Sequence, residues 1–337
     1  MSSAPILVVG PSWVGDMIMA QSLFKLLADR FPDTPIDVIA PGWSLPVLER
    51  MPEVRNGIAL AVGHGELGIA ARRKLGRQLR GNNYRQAIVL PRSAKAALVP
   101  WHARIRQRTG FKGEFRFGLI NDMRAFDPSV LDQTVKRYVA LGLANGQPLP
   151  NALPHPLLHV DRDAQRDALE RLSLGLAKPV VALLPGAEYG PAKCWPLAHF
   201  ASLSSQLKAA GADVWVIGGP KDADAGDTIV RLSAGAAVNL CGKTALTDAI
   251  DLLAVCRAVV TNDSGLMHMA AAVGTPVVAL YGSTSPAFTP PLTANATIHD
   301  LELSCSPCFK RECPLGHLNC LQQILPEQVC ASVSPLL

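Results

Sequence analysis

The stretch Thr261-Asn-Asp-Ser-Gly-Leu-Met-His-Met-Ala-Ala-Ala-Val-Gly-Thr-Pro-Val-Val-Ala-Leu-Tyr-Gly-Ser-Thr-Ser-Pro286 decides the fold. Ala258-Val-Val-Thr, which leads into it, and Thr275-Pro-Val-Val-Ala-Leu-Tyr within it are short and apolar on both faces, the pattern of parallel strands covered on either side by helices. Between them, Asp263-Ser264-Gly265 leaves a strand's carboxyl end and opens a helix over residues 266–273. Free backbone N–H groups and the positive end of the helix dipole make such a turn an anion site. Three consecutive alanines let that helix lie close to a sheet or a ligand. Open α/β sheets hold ligands at the carboxyl ends of their strands. Asp263 and Ser264 also fit a plain helix cap, but His268 and the second polar cluster Gly282-Ser-Thr-Ser favour a ligand site.

The same alternation runs outward in both directions. In the first half, strands at Ile6-Leu-Val-Val-Gly, Ile36-Asp-Val-Ile-Ala, Ile58-Ala-Leu and Gln86-Ala-Ile-Val-Leu are separated by helices over 16–29, 45–50 and 68–80. The proline-rich passage Gln147-Pro-Leu-Pro-Asn-Ala-Leu-Pro-His-Pro156 interrupts the pattern and reads as a linker. Beyond it the scheme resumes: helices at 164–174, 197–210 and 246–254 flank strands at Pro179-Val-Val-Ala-Leu-Leu and Asp213-Val-Trp-Val-Ile-Gly. The fold class is therefore α/β, with two Rossmann-like, doubly wound parallel-sheet domains, residues 1–156 and 157–337, facing a central cleft.

A length of 337 residues suits two domains, and 49% apolar with 18% charged residues marks a chain with well-filled cores. No apolar run reaches the roughly 18–20 residues of a membrane span, and Met1-Ser-Ser-Ala-Pro carries no basic leader, so a cytoplasmic protein is expected. The net charge of +5 is unevenly spread: residues 72–124 hold fourteen Lys/Arg against Glu114 and Asp122, leaving the rest of the chain acidic. A solvated face is one reading of such a run. A polyanionic partner or an anionic membrane surface is the other. No zinc finger, stacking pair or other nucleic-acid reading motif accompanies the charge, so no nucleic-acid partner is expected.

Three loops carry candidate chemistry. Gly10-Pro-Ser-Trp-Val-Gly-Asp16 has neither the Gly-Lys-Ser/Thr of a Walker loop nor G-x-G-x-x-G, yet it sets Asp16 in the first turn of a helix, where the dipole favours a carboxylate able to accept a proton. An acid that simply complements the dipole fits equally. Pro185-Gly-Ala-Glu-Tyr-Gly-Pro-Ala-Lys-Cys-Trp-Pro196 offers Lys193 as a mobile cation above the same sheet edge as Asp263, with Trp195 and Pro196 as a rigid base. Gly218-Gly219-Pro-Lys221-Asp222 gives a third loop where a ribose or base could sit.

Ile6-Leu-Val-Val-Gly-Pro-Ser-Trp-Val-Gly-Asp-Met, Lys193-Cys-Trp-Pro and Thr261-Asn-Asp-Ser-Gly-Leu-Met-His together resemble the lipopolysaccharide heptosyltransferases of glycosyltransferase family 9, over essentially the whole chain. Within the family the sequence is most like members that add the second heptose of the inner core. Heptosyltransferase I, a GT-B enzyme using another nucleotide sugar, and a non-catalytic polyanion binder on a degenerate fold are the rivals. The resemblance implies a GT-B fold and an inverting transfer needing no cofactor or metal. It implies an N-terminal domain for the acceptor, an inner core of lipid A carrying two Kdo sugars and one heptose, met in transient contact with the inner leaflet of the cytoplasmic membrane. The C-terminal domain would take ADP-L-glycero-D-manno-heptose. Asp16 matches the catalytic aspartate and Lys193 the diphosphate-binding lysine. Asp263, Ser264, Gly265, Leu266 and His268 match the segment around diphosphate and heptose. Glu188 and Tyr189 fall where relatives tend to carry hydroxyls facing the phosphates.

Cys305-Ser-Pro-Cys308-Phe-Lys-Arg-Glu-Cys313-Pro-Leu-Gly-His-Leu-Asn-Cys320 packs four cysteines and His317 into sixteen residues. That density suggests zinc, while irregular spacing after the first C-x-x-C and a reducing compartment suggest structural thiols, free or partly bridged. Asp161-Arg-Asp163 has the form of the D-x-D metal motif of another transferase fold, but it precedes a helix and reads as an N-cap.

Overall fold

The computed structural model describes residues 4–63 and 65–337; Met1–Ser3, part of the segment read as lacking a leader, lie outside the described residues. The alternation in the sequence becomes two six-stranded sheets, one in each of two units, residues 1–156 and 157–337.

The first unit runs β1 (Ile6–Val9), α1 (Val14–Arg30), β2 (Ile36–Ala40), α2 (Leu45–Leu48), β3 (Val54–Ala59), α3 (Ile69–Gln78), β4 (Gln86–Val89), α4 (Leu98–His102), β5 (Gln107–Phe111), β6 (Asp122–Arg124) and α5 (Thr134–Leu141). Its strands are parallel in the order β3-β2-β1-β4-β5-β6. β1 is buried on both faces because helices cover both sides, and each of its apolar side chains contributes about 2 kcal/mol of burial. β2 breaks the apolar rule at Asp37, which is buried yet satisfied: Arg55 donates to it at 2.9 and 2.6 Å, Asn56 at 3.0 Å and the Tyr84 hydroxyl at 2.6 Å. Burial works to raise the Asp37 pKa, but those donors outweigh it and leave the carboxyl below its ordinary value. α5, which the sequence left unassigned, packs on α1.

The second unit runs α6 (Arg162–Arg171), β7 (Val180–Leu184), α7 (Leu197–Ala209), β8 (Asp213–Val216), α8 (Ala223–Leu232), β9 (Ala237–Asn239), α9 (Leu246–Leu253), β10 (Ala258–Asn262), α10 (Gly265–Ala272), β11 (Val277–Leu280), β12 (Ala296–His299), α11 (Asn319–Gln322) and α12 (Pro326–Val333). Its parallel order β12-β11-β10-β7-β8-β9 repeats that of the first unit. In each sheet the first and fourth strands, β1 beside β4 and β7 beside β10, are the central pair at which connections turn in opposite directions. That is the topological switch point, where loops diverge and leave room for a ligand. α12 closes the core by setting Val329 and Val333 among Leu203, Leu207 and Val181. Asp161 caps α6 as read from the sequence, accepting from the backbone N–H groups of Asp163 and Ala164 at 3.1 and 3.0 Å.

The basic run departs from its simple reading. Arg72 is buried and its Nε donates to Leu67 O at 2.8 Å. Arg108 donates to the carbonyls of Leu119, Ile105 and Gly118, and the buried Arg116 to those of Pro91 and Phe111. Apart from Phe111 O, at the end of β5, the carbonyls these side chains satisfy lie in loops. Nor do Arg104, Arg106 and Arg108 share one face of an extended strand, as their alternation suggests: β5 starts at Gln107, and Arg104 lies in a left-handed turn with φ 58°.

Candidate active site

Three loops converge at the β7–β10 switch point. Asn262, the last residue of β10, is fully buried and ties the loop after β7 to the end of its strand: its Nδ2 donates to Pro185 O at 2.7 Å, and its Oδ1 accepts from Trp195 N at 3.0 Å. Trp195, also buried, anchors the far side of the turn by donating Nε1–H to Ile324 O at 2.9 Å. Lys193 therefore stands on a fixed base, but it is not the mobile cation expected. Its Nζ lies 2.6 Å from Asp263 Oδ2 and 3.3 Å from Asp263 O. Thr284, from the Gly282-Ser-Thr-Ser cluster, donates to the same Oδ2 at 2.6 Å.

Ser264 is the N-cap of α10, its Oγ accepting from Met267 N at 3.4 Å. The cap role and a ligand role are compatible, because a cap satisfies only one of the orphan N–H groups of the first turn. Gly265 and Leu266 form that turn and are part-exposed. His268 points inward: burial pushes its pKa down to about 4, with Lys193 acting in the same sense and Asp263 opposing. It is a neutral imidazole near pH 7, not a cation for phosphate.

Glu188 is exposed and pairs with Lys221 at 3.1 Å, so its carboxylate neutralises a nearby lysine. Tyr189 lays its ring 5.2 Å from Lys193 Nζ and donates its hydroxyl to Phe309 O at 2.8 Å. The cysteine-rich segment thus braces the lysine turn. Ala192 N donates to Arg311 O at 3.0 Å, and Gly190, at φ 153°, leaves space for that carbonyl where a Cβ would stand 2.5 Å away. Cys305, Cys308, Cys313 and Cys320 line one cavity of about 20 Å³ as free thiols. Among the described residues no group of three or more His, Cys, Asp or Glu side chains is placed to hold a metal ion.

Asp222, in the third loop, carried little sequence signal. Gly186 and Gly218 both face its carboxylate so closely that a Cβ at either would fall 2.6–2.7 Å from it, and Gly219 N donates to it at 2.8 Å. Burial raises its pKa, with Glu188 adding to the effect.

In the first unit, Asp16 occupies the first turn of α1, whose N-terminus carries no side-chain cap. The Tyr138 hydroxyl of α5 donates to the Asp16 carboxylate. Burial first, then that carboxylate, hold the Tyr138 phenol well above its ordinary pKa, so it stays protonated. The carboxyl ends of β1, β2 and β4 also open a cavity of about 90 Å³ lined by Ser12, Trp43, Arg72, Ser93 and Lys95. Lys95 spans one side, donating to Gly65 O at 2.9 Å and Glu66 O at 3.2 Å.

Paired Rossmann-type sheets, with a lysine–aspartate pair at a helix start in one and a carboxylate at a helix start in the other, define an α/β protein of the nucleotide-sugar transferase class. Residues 72–319 match the model of glycosyltransferase family 9 (heptosyltransferase), and the chain belongs to that family. It is 45% identical to lipopolysaccharide heptosyltransferase 2 of Escherichia coli strain K12, over 98% of both chains. It is 43% identical to lipooligosaccharide heptosyltransferase 2 of Haemophilus influenzae, over 98% of this chain and 99% of that one. The structure of E. coli ADP-heptose lipopolysaccharide heptosyltransferase II superposes with a TM-score of 0.89 at 43% identity, covering 98% of each chain.

Proposed function

We propose that this protein is an inverting transferase that moves L-glycero-D-manno-heptose from ADP-heptose to the first heptose of a lipopolysaccharide inner core. The observation that carries the reading is the junction of Lys193, Asp263 and the α10 N-terminus at the β7–β10 switch point. A diphosphate seated there would meet an ammonium and a helix start, and Asp222, in the neighbouring loop after β8, would accept from the nucleoside's hydroxyls.

In the reaction, the acceptor hydroxyl attacks the anomeric carbon from the face opposite the diphosphate. Asp16 takes its proton, a new carbon–oxygen bond forms, and the electron pair of the broken bond leaves on the β-phosphate oxygen. Lys193 and the N–H groups of α10 stabilise that developing charge. Tyr138 holds the Asp16 carboxylate in place through its hydroxyl.

The acceptor is a lipid-borne sugar, so the protein works at the cytoplasmic face of a bilayer. Among the described residues no helix is long and apolar enough to cross one, which makes the contact peripheral. The test is ADP release from ADP-heptose with acceptors bearing no, one or two heptoses. Release restricted to the mono-heptosylated core supports the reading; equal release with a core lacking heptose assigns the first transfer instead, and no release with any of them overturns it.

A further inference from the structure

We propose that the outer face of α3 and α4 is a docking surface for an anionic lipid bilayer. The inference rests on the lipid-borne acceptor above and gives its membrane contact a place on the molecule.

No Asp or Glu occurs between Glu66 and Glu114. Within that interval α3 carries Arg72, Arg73, Lys74 and Arg77. Arg72 turns inward, which leaves Arg73, Lys74 and Arg77 exposed on the outer side. α4 lies directly against this helix: a Cβ on Gly76 would stand 2.6 Å from both Val99 O and His102 Cβ, so only glycine permits the approach. The close packing gathers the cations that follow each helix. Arg80 Nε donates to His102 O at 2.9 Å, and Arg104 N donates to Trp101 O at 3.0 Å.

Arg80 consequently sits in the combined field of Arg104, Arg77 and Arg73. His102 feels Arg73, Arg80 and Arg77 as well and, with burial the larger cause, is held below its ordinary pKa. Among the described residues none of Arg73, Lys74, Arg77, Arg80 and Arg104 is in an ion pair. A fixed cluster of repelling cations without counter-charge gains most from a surface of negative charge.

The choice of a bilayer over a soluble polyanion follows from the apolar groups beside the cations. Trp101 is 45% exposed, its ring edge-on to His102 with centroids 4.7 Å apart, and Ile69, the first residue of α3, is 53% exposed. Tryptophan beside arginine suits the headgroup region, where an apolar ring and a cation are both accommodated. A soluble polyanion would leave Trp101 and Ile69 in water.

The experiment is co-sedimentation of the full chain with phosphatidylcholine vesicles, with and without phosphatidylglycerol. Wild type should bind only the anionic vesicles and be released by salt, an arm that needs no variant. Arg73→Glu/Arg77→Glu/Arg104→Glu should lower partitioning by about 100-fold or more, since each basic residue near such a surface carries roughly a factor of five. Trp101→Ala should weaken binding without changing its salt dependence. A parallel arm measures transfer to a delipidated core oligosaccharide, where the charge-reversed variant should match wild type. Wild type that ignores anionic vesicles, or a variant that binds them equally, overturns the proposal. So does a variant whose transfer to the delipidated acceptor fails, which would assign the face to sugar-borne anions. Vesicle binding requires no turnover, so an enzyme that released no ADP would sink the functional reading and leave this test standing.

Discussion

Lys193 Nζ and Asp263 Oδ2 lie 2.6 Å apart, with the lysine side chain 14% and the aspartate 5% exposed. The pair links the turn after β7 to the turn before α10, and Thr284 completes the carboxylate's shell from the loop after β11. An ammonium held this way keeps its position beside a helix N-terminus, so on the proposed reading little ordering would remain to be done when a diphosphate arrives. Its charge is largely spent on Asp263 until a stronger anion shares it.

Lys193→Ala should therefore weaken ADP binding and lower kcat/KM together, because the cation meets diphosphate charge in both ground and transition states. It should also cost about 1–3 kcal/mol of stability by leaving a buried carboxylate without its cation. Lys193→Ala/Asp263→Asn separates the two effects: stability should recover while ADP affinity stays low. Titration calorimetry with ADP and urea unfolding are the measurements. ADP affinity at the wild-type level in both variants would move the diphosphate elsewhere.

Asp16→Asn should leave folding and ADP affinity near wild type and cut turnover by about 10²–10⁴-fold, the range for a general base. Tyr138→Phe removes only the donor to that carboxylate. Turnover should drop by about tenfold, the worth of one hydrogen bond to a charged group, with the KM for donor unchanged. Steady-state kinetics and thermal melting of both variants check this. An Asp16→Asn enzyme retaining more than about a third of wild-type turnover rules the residue out as base.

The contrast between those two residues marks how far the sequence could be read. Asp16 was visible because a strand, a glycine loop and an acid occur in a row. Tyr138 was not, because its pairing depends on α5 packing back on α1, and Thr-Val-Lys-Arg-Tyr-Val-Ala-Leu has no turn signal announcing that return. Central strands were legible as apolar runs. Strands β5, Gln-Arg-Thr-Gly-Phe, and β6, Asp-Met-Arg, were not: polar residues break the apolar run of β5 although it lies between β4 and β6, and β6 is an edge strand, which makes no demand for apolar side chains on both faces. Lys193, Asp263 and Ser264 were correctly placed at one sheet edge, while the lysine's partner and the clasp formed by Asn262 needed the three-dimensional structure. Charge counting overstated the solvated basic face, because Arg72, Arg108 and Arg116 serve internal carbonyls.

His268 gives a pH signature. Unfolded, it titrates near 6.5; folded, burial lowers its pKa to about 4. Between these values the unfolded chain binds more protons, so stability falls as pH drops from about 6.5 toward about 4 and is unaffected by this group above that window. The full loss is up to about 3 kcal/mol. His268→Gln should flatten the decline between about pH 7 and pH 5, read as urea midpoints. An unchanged slope in that variant would assign the decline to other groups.

Lys95 tests the acceptor side. It lines the cavity at the carboxyl ends of β1, β2 and β4, and its ammonium rests on the carbonyls of Gly65 and Glu66 without a carboxylate partner among the described residues. Carbonyl oxygens neutralise no charge, so an acceptor carboxylate or phosphate entering the cavity would attract the lysine at close range. Lys95→Ala should raise the acceptor KM by about tenfold or more, the worth of one charge-assisted hydrogen bond. ADP affinity should not change, because Lys193, Asp263 and Asp222 all belong to the other unit. Lys95→Arg should restore part of the loss, since it returns the charge with a different geometry. Kinetics with acceptor varied at two salt concentrations provide the check: a charge inside a cavity is screened less than one on the surface, so the effect should persist at the higher salt. If Lys95→Ala leaves the acceptor KM unchanged at both, the lysine serves only to hold the loop around Gly65 and the acceptor's anions are read elsewhere.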